Sequence, residues 1–212
     1  MKTGSILVMM TFLSFFTANA QKALSLKEIQ LIKEKPAREA FRVLQTTDES
    51  DLKVLTQKAA EITLKDKQLQ LLADRMYVTV LQEQGVGIAA PQIGISRKAI
   101  WVKRYDKAGE PFEFFVNPTI TWYSQVKRLG REGCLSIPDL SGQVYRSLAI
   151  RMTYFDSKGH FHDEMIEGFT AVICQHECDH LEGVLFTDRL EEQAAKTYKK
   201  AEIKNELYYT EE

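Results

Sequence analysis

His176, Glu177 and His180 lie within five residues of one another in the stretch VICQHECDHLEG (172–183), in a chain that has only four histidines. On a helix each residue advances about 100°, so positions 176 and 180 stand one turn apart on nearly the same face. Two imidazole nitrogens can then aim at one point, and a single rigid element supplies two of the four ligands of a tetrahedral metal. Glu177 sits about a quarter-turn from His176. It is beside such a site without being forced to ligate, where a general base for an activated water must stand. A core helix with two hydrogen-bonded histidines would carry the same five letters, so the metal reading needs a third ligand from elsewhere.

Cys174 and Cys178 are each two residues from His176, about 200° round the helix, and should point away from the imidazoles as small buried apolar groups. One helical turn apart, they do not suit a disulfide. The extended zinc-protease motif would need a third histidine at position 186, which is Phe186. A downstream glutamate, Glu191, Glu192 or Glu202, has no supporting motif around it. The remaining soft donor is Cys134 in REGCLSIP (131–138). Gly133 permits close backbone approach, and Leu135-Ser136-Ile137 continue as a strand. A thiolate at Cys134 would complete a Cys-His-His set with an open fourth position, as a catalytic site requires. A third stretch, GVGIAAPQIG (85–94), joins glycines and alanines to a lone Gln92, but lacks the third glycine and the lysine of a phosphate loop.

These residues need elements to bring them together. Leu69, Leu72, Met76 and Val80 recur at helical steps from Asp66, a candidate N-cap, to a stop at Gly85 and Gly87. Residues 98–106 and 148–159 read as strands, closed by the turn residues 107–109 and 157–159. A helix over Gly168–Asp188 carries the histidines, and a second, charged helix is expected over 189–205. Residues 42–65 are mixed, with a turn-prone Thr46-Thr47-Asp48-Glu49-Ser50. The order helix, strands, helix argues for an α+β fold, with antiparallel sheets packed around a central helix that bears His-Glu-x-x-His.

Composition sets the frame for the whole. The 212 residues are 44% hydrophobic and 27% charged, enough for one globular domain. With 28 basic and 29 acidic residues the formal net charge is −1, which leaves no footprint for nucleic acid or an anionic membrane surface. Three cysteines are an odd number and do not suggest a disulfide framework. Met1-Lys2, the apolar run Ile6–Phe16 and Ala18-Asn19-Ala20 follow the order of a secretory signal peptide over residues 1–20. The run is too short for a stable span, which needs about 20 apolar residues. The mature protein would begin near Gln21, outside the cytoplasm, with no stable membrane association after leader cleavage. Residues 21–40, with Leu26, Ile29, Leu31 and Ile32 at helical spacing, form an N-terminal extension.

GVGIAAPQIG, REGCLSIP and QHECDHLEG, in this order with strand-rich sequence between, closely resemble the peptide deformylase family of metallohydrolases. The resemblance covers residues 41–190, from FRVLQ to HLEGVLFTDRL, and leaves 191–212 as a C-terminal helix and tail. It implies removal of the formyl group from N-terminal formylmethionine of peptides, a step of protein biosynthesis, with release of formate. It implies that Cys134, His176 and His180 bind one divalent metal, most often Fe²⁺, with Zn²⁺, Ni²⁺ or Co²⁺ as substitutes. Glu177 would act as general base and acid, and Gln92 with the backbone N–H of Leu135 would form the oxyanion hole. The N-formylmethionyl peptide would pair as an added strand along Val86, Gly87 and Gly133, its methionine in an apolar pocket with Ile173 as one wall. Residues 1–40 depart from the family, whose usual place is the cytoplasm. Two other classes remain open: a secreted zinc endopeptidase with no role for Cys134, and a catalytically silent peptide-binding relative. Oligomeric state leaves no mark on the sequence.

Overall fold

A computed structural model describes residues 22–201 and 207–212; the leader expected over 1–20 and Glu202 lie outside the described residues. Helix α1 (Leu26–Lys33) begins at Ser25, whose hydroxyl accepts from the Glu28 N–H while the Glu28 carboxylate accepts from the Ser25 N–H. This reciprocal cap satisfies two of the donors a helix start leaves orphaned. The turn-prone cluster at 46–50 proves to be a helix start. Asp48 caps α2 (Glu49–Leu55) by accepting from the Ser50 and Asp51 N–H groups.

Helix α3 (Leu69–Gln82) buries Leu69, Leu72, Met76 and Val80, the apolar face read from the spacing. Its N-cap is Gln68, not Asp66. Asp66 instead accepts from the Gln68 and Leu24 N–H groups, tying the extension to the domain. The left-handed residue that ends the helix is Gln84, at φ 55°, ahead of Gly85.

The sheets follow: β1 (Gly87–Ala89), a 3₁₀ turn (Ala90–Ile93), β2 (Ala99–Lys103), β3 (Phe112–Tyr123), β4 (Val126–Cys134), β5 (Ile137–Ser147), β6 (Ala149–Phe155) and β7 (Phe161–Glu167). A five-stranded sheet has the order β1-β2-β3-β6-β7 and is antiparallel throughout. Helix α4 (Gly168–Leu181) packs Ala171, Ile173, Cys174 and Leu181 against that sheet's Ile100, Val102, Phe115, Ile150 and Ile166. A second antiparallel sheet, β5-β4-β9-β8, is completed by β8 (Tyr198–Lys200) and β9 (Tyr208–Glu211). The class is α+β, with antiparallel sheets around the helix that carries the histidines.

The helices at and after the histidines also end differently from the sequence reading. Helix α4 ends at Leu181, and the chain turns through Gly183 at φ 73° before α5 (Phe186–Ala194). A Cβ at Gly183 would lie 2.5 Å from the Thr56 carbonyl oxygen, so only glycine fits that turn. The expected charged helix over 189–205 stops at Ala194, and the chain then forms strands. Tertiary contact overrides local propensity there: Tyr198 stacks on Tyr145 of β5 with centroids 3.7 Å apart, and Tyr209 meets the same ring edge-on.

Candidate active site

His176 and His180 project from successive turns of α4, their ring centroids 5.1 Å apart. Cys134 comes from the end of β4. The register slips between Gly133 and Cys134: Gly133 faces Ser141, but Cys134 faces Ile137 in a tight hairpin end. Such an irregularity re-aims a side chain, and here the Cys134 Sγ stands 3.2 Å from His180 Nε2. One ligand atom from each of Cys134, His176 and His180 lies within 4.8 Å of the others. Cys174 and Cys178 are instead packed in the apolar cluster beneath α4, where burial pushes both thiols up. Glu191 and Glu192 are exposed on α5, Glu192 paired with Arg189.

Behind the pair lies a residue that sequence reasoning passed over. Glu132 Oε2 is 3.0 Å from His176 Nδ1, and the same carboxylate receives Nε and Nη2 of Arg146 at 2.8 and 2.9 Å. Arg146 also holds Asp179 of α4, which Arg189 holds in turn. With Nδ1–H donated to Glu132, His176 turns Nε2 towards Cys134, where a cation could be shared between them, the usual way a carboxylate orients a ligand imidazole. Glu132 was legible in principle. It stands two residues before Cys134 inside the motif REGCLSIP.

The electrostatics suit a cation. Burial alone would raise the Glu132 carboxyl, but hydrogen bonds from Arg146 and His176 hold it at about 2. Burial disfavours an imidazolium at His176, yet contacts with Cys134 and Glu132 push its pKa up to about 10, while burial drives His180 well down. Two buried polar atoms among the described residues have no hydrogen-bond partner, Glu177 Oε2 and His180 Nδ1. Burial pushes Glu177 up to about 7. A soft sulfur, two imidazoles and an unpartnered carboxylate beside them fit a catalytic divalent ion.

The other groups line one cleft of about 650 Å³, which holds Val86, Gly87, Gln92, Gly133, Leu135 and Ile173 as well as Cys134, His176 and Glu177. His180 is buried behind it. Gly87 is a close approach: a Cβ there would meet Glu177 Oε1 at 2.5 Å. Gln92 is fixed by the Ala89 N–H donating to its Oε1 at 2.8 Å, which turns Nε2 towards Ser136 Oγ and Cys134 Sγ at 3.3 and 3.5 Å. Gln45, also unmarked by sequence reasoning, donates to the Leu135 carbonyl at 3.0 Å and so orients that peptide plane.

Comparison with known proteins settles the family. A model of the family described as polypeptide deformylase matches residues 41–196. The chain belongs to the peptide deformylase family. It is an enzyme of that kind, a deformylase. A Zymomonas mobilis peptide deformylase is 39% identical over 141 residues, 64% of this chain and 80% of the relative. One from Leptospira biflexa is 40% identical over 146 residues, 66% of this chain and 82% of the relative. Among solved structures, a Met-Ala-Ser-bound class I type b enzyme from Acinetobacter baumannii superposes with TM-score 0.64 at 37% identity. That match covers 71% of this chain and 98% of the other. The Thermotoga maritima enzyme gives 0.64 at 34%, covering 71% and 97%. Neither the endopeptidase nor the silent-relative reading finds support in these matches. Residues 22–40 fall outside the family match, yet Leu24 and Ile32 are buried in the core against α3.

Proposed function

We propose the following division of labour for the reaction of this deformylase, which takes the formyl group from N-formylmethionine peptides and releases formate. Cys134, His176 and His180 hold one divalent ion, and Fe²⁺ is the assignment, with Zn²⁺, Ni²⁺ or Co²⁺ able to replace it. When bound, such an ion polarises the formyl carbonyl and lowers the pKa of water to near neutrality. Glu177 takes the proton of the attacking water on Oε2 and returns it to the leaving amine. The Gln92 side-chain amide and the Leu135 N–H receive the charge that builds on the formyl oxygen, a service whose loss typically costs about 10²–10³ in rate per donor.

The peptide lies between two strand edges. β1 is the end strand of its sheet, and on β4 only Val126–Arg128 pair with β9, which leaves the edge near Gly133 open among the described strands. Val86, Gly87 and Gly133 offer main-chain groups there, and Ile173 offers the methionine side chain an apolar wall. The convergence of three donor atoms within 4.8 Å, with Glu177 beside them in the cleft, carries this reading.

We place the mature enzyme, beginning near Gln21, outside the cytoplasm, where an exported or scavenged formyl peptide would be its substrate. The order of charge, apolar run and Ala18-Asn19-Ala20 supports this. Among the described residues no helix is long and apolar enough to cross a membrane. N-terminal sequencing of the purified native protein checks it: a start near Gln21 is expected, and an intact Met1 on cytoplasmic material refutes export.

The reaction itself is tested by anaerobic loading with Fe²⁺ and incubation with formyl-Met-Ala-Ser. Formate release is expected, abolished in Cys134→Ala together with the metal. In Glu177→Gln it should fall about 10²–10⁴-fold with the metal retained. A near-normal rate in Glu177→Gln would remove the general-base assignment.

A further inference from the structure

The cleft carries a cation that the chemistry at the metal end does not use. Arg131 lines it from β4, exposed, and its Nε donates to Ser141 Oγ at 2.9 Å. No carboxylate lies within ion-pair distance of it among the described residues, whereas Arg146, Arg151 and Arg189, which line other cavities, are each paired with one. Asp139 shares the rim of the cleft but makes no ion pair with Arg131. Glu132, the next residue, belongs to the buried pair with Arg146.

Its distance from the metal ligands is set by the strand. Arg131 and Gly133 share a face of β4, and Arg131 precedes Cys134 by three residues, about 10 Å along an extended strand at about 3.3 Å per residue. A peptide whose formyl end lies at Cys134 can run only one way along this strand. Beyond Cys134 the chain doubles back, Cys134 facing Ile137, while behind it Gly130 to Gly133 pair with β5 on one side and with no described strand on the other. A three-residue extended peptide also spans about 10 Å. Its last carboxylate therefore arrives level with Arg131, whose guanidinium has no carboxylate partner among the described residues and whose planar donors suit one.

We propose that Arg131 is a specificity residue that receives the C-terminal carboxylate of a formylated tripeptide, so that this enzyme favours short free peptides over the ends of long chains. The inference rests on the deformylase reading and adds the substrate's length and far terminus to it. A hydrogen-bonded pair with a charged group supports a preference of about tenfold in kcat/KM, expressed mainly in KM because the contact is remote from the reacting carbon.

The test compares formyl-Met-Ala-Ser with its C-terminal amide and with a six-residue extension ending in a free carboxylate, using the metal-loaded protein. The expected result is about tenfold higher kcat/KM for the tripeptide acid than for the amide, with no such advantage for the carboxylate of the longer peptide. The acid-to-amide ratio should shrink with added salt. It should fall to near one in Arg131→Gln and be partly kept in Arg131→Lys. Formate released equally from acid and amide overturns the inference and leaves the deformylase standing. A ratio unchanged in Arg131→Gln overturns the assignment to this residue. Formate from neither peptide overturns the deformylase reading and this inference with it.

Discussion

Among the described residues two buried arginines are each paired with more than one carboxylate, and they do different things. Arg146 is 5% exposed and paired with Glu132 and Asp179; Arg104 is 1% exposed and paired with Asp106, Glu113 and Glu164. Each has traded water for a fixed set of acceptors, an exchange that by itself is weak evidence of either stability or function. The difference lies in what the acceptors touch next. Glu132 turns its second contact to His176 Nδ1, so the pair behind it sets the direction of the imidazole proposed as a metal ligand. Glu164 accepts from the Tyr154 hydroxyl, and the Asp106 backbone N–H donates to Thr170 Oγ1 near the start of α4, so that pair sets the geometry of a sheet and a helix end. A buried ion pair thus acquires a chemical role only through its next neighbour.

That contrast can be broken by mutation. The largest effect is expected from Glu132→Ala, which removes the partner of His176 and leaves Arg146 buried with one carboxylate fewer. Metal affinity should fall about 10–100-fold and stability by about 3–5 kcal/mol, read by metal content after dialysis against a chelator and by denaturant unfolding. Arg104→Met should also lose stability, by a few kcal/mol, because Asp106, Glu113 and Glu164 are left without their shared cation. Its folded fraction should bind metal as the wild type does. If Arg104→Met lost metal as readily as Glu132→Ala, the two networks would not be distinct.

The smallest effect is at the rim of the Arg104 network. Tyr154, which donates to Glu164, also stacks on His162, and His162 shares Asp156 with His160. Partial burial would raise the Asp156 carboxyl, but hydrogen bonds from the His160 backbone, from His162 and from the His160 side chain hold it well below the usual carboxylate range. A folded pKa below the unfolded value gives stability that is present above about pH 4 and is lost as pH falls further. Asp156→Asn should therefore lower Tm slightly at neutral pH and converge with the wild type in acid. A gap that widened on acidification would contradict the sign.

How much was legible depended on sequence separation. The i, i+4 histidines, Glu177 between them, and a cysteine and a glutamine in their own short motifs are local patterns, and the spacing of a helix or strand speaks for each. Glu132 stood inside a motif already singled out and was missed because its partner, Arg146, is 14 residues on, across the β4–β5 hairpin. Gln45 reaches Leu135 over 90 residues, a separation no periodicity reports. The tail after Ala194 was misread for a related reason. Its lysines and glutamates favour a solvated helix, and the strand is held by ring contacts between Tyr145 and the distant Tyr198 and Tyr209.

The shared coordination of a single cation by Cys134, His176 and His180 is tested most directly by X-ray absorption on the Zn²⁺-loaded protein, wild type beside Cys134→Ser. One ion per chain is expected, with a single sulfur at about 2.3 Å and imidazole nitrogens at about 2.0–2.1 Å in the wild type, and no sulfur in the variant. A shell without sulfur in the wild type, or the same sulfur persisting in Cys134→Ser, would contradict it.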